Sequence, residues 1–333
     1  MTQSTTQEET TKSQESQRWY EVEEAHNSVG LAVTFALLKI LPAVVLRIIA
    51  FPVGFFYWLF GKKARAFSTM YLQQLNSFLT AQESEKKIKI STLKHFLSFA
   101  IALTEKIEVW AGKFSFKQIH FQNDDIEDLV HNLENGKGVM LFVSHLGNSE
   151  LLRGLANAHE TGVKREFIVN SILDVQVTAG FNALLKKVNA DATMHIFNAS
   201  EIGPDTMILL QQKAEAGEMI VIAGDRTSAS TQNRFVTQDF LGKPAQFAYG
   251  SYMLAALLNI PTYFVFGVRQ KDVSISPLYN FHVRKSPVNF DCPRKERDER
   301  IRQTVAAYAQ TLEKLCIAYP YQWYNFFNFW ADA

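Results

Sequence analysis

A histidine followed by a glutamate is the first place in this chain where chemistry can be written. His145-Leu146-Gly147-Asn148-Ser149-Glu150 directly follows the apolar run GVMLFVS at 138–144. Such a run reads as a buried strand. In open α/β sheets the carboxyl end of a strand is where loops diverge and the next helix points its N-terminus at the gap. Imidazole titrates near neutrality, so His145 can take a proton from a hydroxyl as that oxygen attacks an electrophilic carbon. Glu150, in the first turn of the following helix, can reach back to the other ring nitrogen, fix the tautomer and stabilise the imidazolium. Gly147 permits a tight turn and close substrate approach, while Asn148 can cap the helix or tie the loop. Spacing alone leaves this open against a packed histidine beside a surface carboxylate.

A second polar turn has the same origin. The apolar residues Ile220 to Ala223 run into Gly224-Asp225-Arg226-Thr227-Ser228. An arginine fixed at a strand end can clamp a phosphate or help stabilise an oxyanion, with Asp225 to orient it and Thr227 beside it. The competing reading is a β-turn with a surface ion pair. Both turns occupy the same kind of position in one sheet, which adds weight to the chemical reading. Lys243 is read as a surface charge or as a contact for an anionic group of a ligand. Phe247, Tyr249 and Met253 either line an apolar groove or belong to ordinary core.

The elements that must hold these turns alternate along the chain. Residues 1–17 are Thr, Ser, Gln and Glu with almost nothing apolar, and are expected to be a disordered polar tail. They lack the pattern of a secretory signal. An apolar stretch at 29–60 follows, interrupted by Lys39, Pro42, Arg47 and Pro52 and flanked by Trp58, Lys62, Lys63 and Arg65. It fits helices lying in or dipping into one leaflet, so 18–66 is expected to be a membrane-associated helical segment. A tilted span or a buried hairpin packed on the domain are the alternatives. Residues 67–333 then form one domain: helical over 68–113, a helix opened by Asp124 and Asp125, and the strand at 138–144. Helices follow from about 149, near 181–188 and 205–215, around 247–258 and at 297–316. Strands are expected at 167–169, 219–223, 262–268 and 278–283. That alternation, with continuous apolar strands, predicts an α/β sandwich.

Bulk properties remove other classes. Of 333 residues 47% are hydrophobic, enough for a real core, and the formal charge of +1 supplies no field to gather nucleic acid. Cys292 and Cys316, the only cysteines, lack CxxC spacing, so no zinc knuckle or disulfide framework is indicated and a reducing compartment is the simplest reading. No third ligand clusters with His145 and Glu150, since His159 and His195 are scattered, so no metal is expected. Ser144 lacks the GxSxG elbow of a nucleophilic serine.

SHLGNSE at 144–150 resembles the HxxxxE/D motif of the late acyltransferases of lipid A biosynthesis, within the wider lysophospholipid acyltransferase superfamily. GDRTS at 224–228 and FLGKPAQFAYGSYMLAALLNIPTYF at 240–264 look like the family's next blocks, and YPYQWYNFF at 319–327 resembles its aromatic ending. The resemblance implies a mixed-sheet α/β sandwich of the glycerolipid acyltransferase type. It implies acyl transfer from acyl carrier protein or coenzyme A, as co-substrate without a further cofactor, to a hydroxyl of a membrane lipid or glycolipid. The implied place is the cytoplasmic face of a bacterial inner membrane. His145 would be the base and Glu150 its partner, and Asp225 and Arg226 would form part of the substrate wall. Where the family tends to carry an arginine-rich helix, this chain has Lys186 and Lys187 in FNALLKKVNAD, which leaves room for an acceptor other than lipid A, such as an amino-acid lipid or a polyene lipid. A lipid-binding protein or a thioesterase of the same geometry are the other readings.

Overall fold

The computed structural model describes residues 41–122, 125–152, 163–173, 194–226 and 234–330. The polar tail, the first part of the apolar stretch, the helix expected near 181–188, and Thr227 all lie outside the described residues.

Nine strands are described: β1 (Ile119–Phe121), β2 (Val139–Val143), β3 (Val169–Leu173), β4 (Met194–Asn198), β5 (Met219–Ala223), β6 (Phe235–Phe240), β7 (Lys243–Ala248), β8 (Thr262–Arg269) and β9 (Tyr279–Lys285). Seven of them form one sheet in the order β1-β9-β8-β2-β5-β3-β4, parallel throughout except for the antiparallel β8–β9 pair. The fold is therefore mixed α/β, as the alternation predicts.

The continuous apolar strands follow from burial on both faces. Met140 and Phe142 of β2 enter one core with Ile301, Val305, Tyr308 and Leu312 of the last helix. Val139, Leu141 and Val143 enter a second core with Leu129 and Leu133 on the opposite face. The helices behind those residues are α1 (Ala43–Phe60), α2 (Lys62–Ala81), α3 (Thr92–Trp110), α4 (Ile126–Glu134), α5 (Pro204–Glu215), α6 (Tyr249–Leu258) and α7 (Arg297–Ala318).

Several boundaries differ from expectation. The helical region at 68–113 is two helices, α2 and α3. The helix expected from Phe247 starts at Tyr249 because Phe247 belongs to β7, which pairs antiparallel with β6 in a separate hairpin. Leu241 and Gly242 make its tight turn with φ of 51° and 75°. The strand expected at 167–169 begins at Val169 instead. Strands β1 and β4 were not signalled; both lie at the sheet edges, where a short segment needs little apolar pattern of its own.

Helix α1 is, by length and composition, apolar enough to cross a membrane, with mean hydropathy 2.0 and only 17% of it buried. Its inner face packs on α3, where a Cβ added to Gly54 would stand 3.0 Å from that of Ala100. Ile48, Val53, Phe56 and Phe60 are exposed.

Candidate active site

Strand register brings the two polar turns together. Val143 of β2 stands opposite Ala223 of parallel β5, so His145 and Asp225, each two positions further on, leave the sheet side by side. Tyr308 donates its hydroxyl to the Val143 carbonyl at 2.8 Å and Tyr252 donates to that of Gly224 at 3.1 Å, fixing both strand ends. Gly224 is required here: a Cβ would stand 2.7 Å from the Tyr308 ring.

Asp225 holds His145 twice. Its Oδ1 lies 2.8 Å from His145 Nδ1 and its Oδ2 accepts the His145 backbone N–H at 2.8 Å. The Asp225 side chain is 1% exposed and that of His145 is 31% exposed. A carboxylate at Nδ1 places the neutral ring's proton there, leaving the Nε2 lone pair free. Nε2 makes no hydrogen bond among the described residues.

The electrostatics suit a base. Burial and the Arg226 cation lower the His145 pKa from its ordinary value, and Asp225 only partly offsets them. Burial pushes the Asp225 carboxyl up, but the His145 ring, its hydrogen bonds and Arg226 outweigh that and hold it below the ordinary value. The imidazole is therefore neutral, and the carboxylate charged, at neutral pH.

Proximity in sequence predicts Glu150 at the ring; the structure puts Asp225 there. Glu150 opens the next helix, where its backbone N–H donates to Asn148 Oδ1 at 3.1 Å and its Oε2 accepts the Trp110 indole N–H at 2.9 Å. The start of that helix thus faces the end of α3, whereas strand register delivers a carboxylate directly to Nδ1. Gly147 is in the left-handed region at φ 73°, and a Cβ there would meet the Gly267 carbonyl oxygen at 2.0 Å. Asn148 is fully buried, and its Nδ2 has no hydrogen-bond partner among the described residues. Arg226 lies over the Phe327 ring at 5.6 Å and reaches the Tyr324 carbonyl at 3.4 Å. Lys243 is exposed at the start of β7, in the separate hairpin. Phe247 is core, and Tyr249 donates its hydroxyl to Asp298 at 2.6 Å.

The aromatic ending completes the site, a role that sequence reasoning did not give it. Gly147 N–H donates to the Gln322 carbonyl at 2.8 Å and Tyr324 N–H to that of His145 at 3.0 Å, so residues 322–324 run antiparallel to the histidine loop. The indole N–H of Trp323 donates to Asp225 Oδ2 at 3.1 Å. The motif YPYQWYNFF was the available signal, but its geometry was not. Among the described residues no group of three or more His, Cys, Asp or Glu could hold a metal ion.

A neutral imidazole backed by a buried carboxylate at the mouth of a parallel sheet is an arrangement for accepting a hydroxyl proton. No curated protein matches the chain. The family model described as bacterial lipid A biosynthesis acyltransferase, however, matches residues 14–331, nearly the whole length. The chain belongs to the bacterial lipid A biosynthesis acyltransferase family and is an acyltransferase, an enzyme that moves acyl groups onto lipid acceptors.

Proposed function

We propose that this enzyme transfers a fatty acyl group from a thioester of acyl carrier protein or coenzyme A to a hydroxyl of a membrane lipid or glycolipid, with His145 as general base. The observation that carries this reading is the His145–Asp225 pair at adjacent strand ends. With the proton of the ring on Nδ1, Nε2 takes the proton of the acceptor hydroxyl as its oxygen bonds to the thioester carbonyl carbon. Asp225 stabilises the imidazolium. The proton then passes to sulfur as the C–S bond breaks. Arg226 supplies the positive charge that an oxyanion or a headgroup phosphate would meet. Orientation of the ring falls to Asp225, and Glu150 supports the loop through Trp110.

The exposed apolar face of α1, followed by Lys62, Lys63 and Arg65, supports a helix lying in one leaflet with cations at the headgroups. Arg65 stacks over Trp58 at 5.2 Å, an interfacial pairing of cation and aromatic ring. In this reading the catalytic domain faces the cytoplasm, where both donors occur. The test is to compare lipid and glycolipid mass spectra of cells carrying the native protein and His145→Ala. An acylated lipid should vanish in the variant and its one-acyl-shorter form accumulate; unchanged spectra with a folded variant would sink the proposal.

A further inference from the structure

Asp225 receives three N–H donors: the ring and backbone of His145, and the indole of Trp323. Trp323 is 1% exposed, and its ring is wedged by Tyr71, Phe240 and Phe329 with centroids at 5.0, 5.1 and 5.0 Å. Its backbone is held independently. The Trp323 carbonyl lies 2.9 Å from His95 Nε2, and Ser68 Oγ lies 2.9 Å from His95 Nδ1. A carbonyl can only accept, so Nε2 carries the proton of His95 and Ser68 donates to Nδ1. One residue earlier, Gln322 donates to the Arg269 carbonyl at 2.8 Å and accepts the Arg269 N–H at 2.7 Å. Helices α2 and α3 and strand β8 thus hold residues 322–323, and the Trp323 indole points at the carboxylate behind the histidine.

We propose that Trp323 is a positioning residue for acyl transfer, its indole N–H holding Asp225 in the rotamer that faces His145 and sharing that carboxylate's charge. The proposal rests on His145 being the base. An N–H donor stabilises the carboxylate and so weakens its pull on the imidazolium. Removing the donor should leave Asp225 more basic, raise the affinity of His145 for its proton, and free the carboxylate to rotate. The charged groups acting on His145 are Asp225, Arg226 and Lys106. Trp323 is neutral, so its replacement adds and removes no charge, and acts on the ring only through Asp225.

The test replaces Trp323 by β-(3-benzothienyl)alanine in the full-length protein in detergent, keeping the ring and deleting only the N–H. Trp323→Phe serves as the coarser variant. The His145 resonance, assigned by its absence in His145→Gln, is titrated by NMR, and lauroyl-coenzyme A consumption is followed with extracted bacterial lipid as acceptor. With the fold intact by circular dichroism, the His145 midpoint should rise by about 0.5 to 1 pH unit and kcat should fall roughly three- to tenfold. A folded benzothienyl variant whose His145 titrates as in the native protein overturns the role of Trp323. Native acyl transfer by His145→Ala would instead overturn the reading beneath it, and the titration separates the two.

Discussion

The guanidinium of Arg47, inside the apolar helix α1, donates from Nε to Glu108 Oε1 at 2.8 Å and from Nη2 to Oε2 at 2.5 Å. Glu105 lies 3.7 Å away and itself pairs with the buried Arg269. A charge in this helix reads from sequence as an interruption of a membrane segment. In the structure it is a bolt between that segment and α3. Burial pushes the Glu108 carboxyl up while Arg47 holds it down, so the carboxylate depends on its partner. Arg47→Ala should destabilise the protein by about 3–5 kcal/mol, the cost of leaving a buried charge unpaired. Replacing both partners, as Arg47→Met with Glu108→Leu, should recover most of it. Urea unfolding in detergent reads both, and a single variant as unstable as the double would refute the pairing.

The carboxylate at Nδ1 also ranks the site variants. Asp225→Asn keeps the shape but can hold the ring in the wrong tautomer, and should lower kcat by up to about ten thousandfold. Glu150→Gln keeps an oxygen for the Trp110 indole and should cost less. His145→Ala should cost about two to four powers of ten. If steady-state kinetics found Glu150→Gln more damaging than Asp225→Asn, the assignment of Asp225 as orienting group would be wrong.

Burial and Arg226 together place the acid limb. Burial, and after it the Arg226 charge, lowers the pKa of His145, and in the proposed mechanism activity needs the neutral ring. The limb of kcat/KM should therefore lie below the ordinary histidine value, with a plateau at neutral pH. Arg226→Gln should move that limb to higher pH, whatever it does to KM. A limb that stays put would mean that the ring does not feel this charge.

The sheet and the histidine loop were legible because their signals are local. A continuous apolar run marks a strand covered on both faces, and β2, β5 and β8 all have one. The partner of the histidine was not legible, because proximity in sequence favoured Glu150, whereas Asp225 arrives through the Val143–Ala223 register. Pairing register between strands separated by a long crossover leaves no mark on either strand alone. The same holds for Trp323 and His95, which look like core residues until the tail's path across the loop is known. The β6–β7 hairpin was hidden by its turn, where Leu241 takes a left-handed conformation that no sequence rule would assign to leucine.

His95 should give stability a pH dependence of its own. It is fully buried, and burial lowers its pKa to about 4, against 6.5 for an ordinary histidine. The unfolded chain therefore binds the extra proton first. The contribution is fully present above the ordinary value and is lost as pH falls toward the folded one. At ~1.36 kcal/mol per unit, this gap corresponds to about 3 kcal/mol. His95→Gln can still donate to the Trp323 carbonyl but cannot titrate. Its deficit relative to the native protein in urea unfolding should shrink between about pH 7 and pH 4.5; a constant deficit would exclude His95 as the titrating group.

The last prediction concerns the outer face of α1. Leu46, Arg47, Ala50 and Gly54 are buried against the domain, while Ile48, Val53, Phe56 and Phe60 are exposed. A helix committed on one side to protein, through a buried ion pair, has only its opposite side to offer lipid, so in the proposed reading it should lie along the bilayer rather than through it. Apolar insertion resists salt, whereas attachment through Lys62, Lys63 and Arg65 alone would be screened. The full-length protein should co-sediment with vesicles containing anionic lipid and stay bound in high salt. Burying a phenylalanine is worth about 1.5–3 kcal/mol, so Phe56→Glu with Phe60→Glu should weaken vesicle binding by at least about a hundredfold. Thermal stability in detergent should change little, because neither ring is part of the core. Release of the native protein by salt, or undiminished binding by the double variant, would show that this face is not the one that meets lipid.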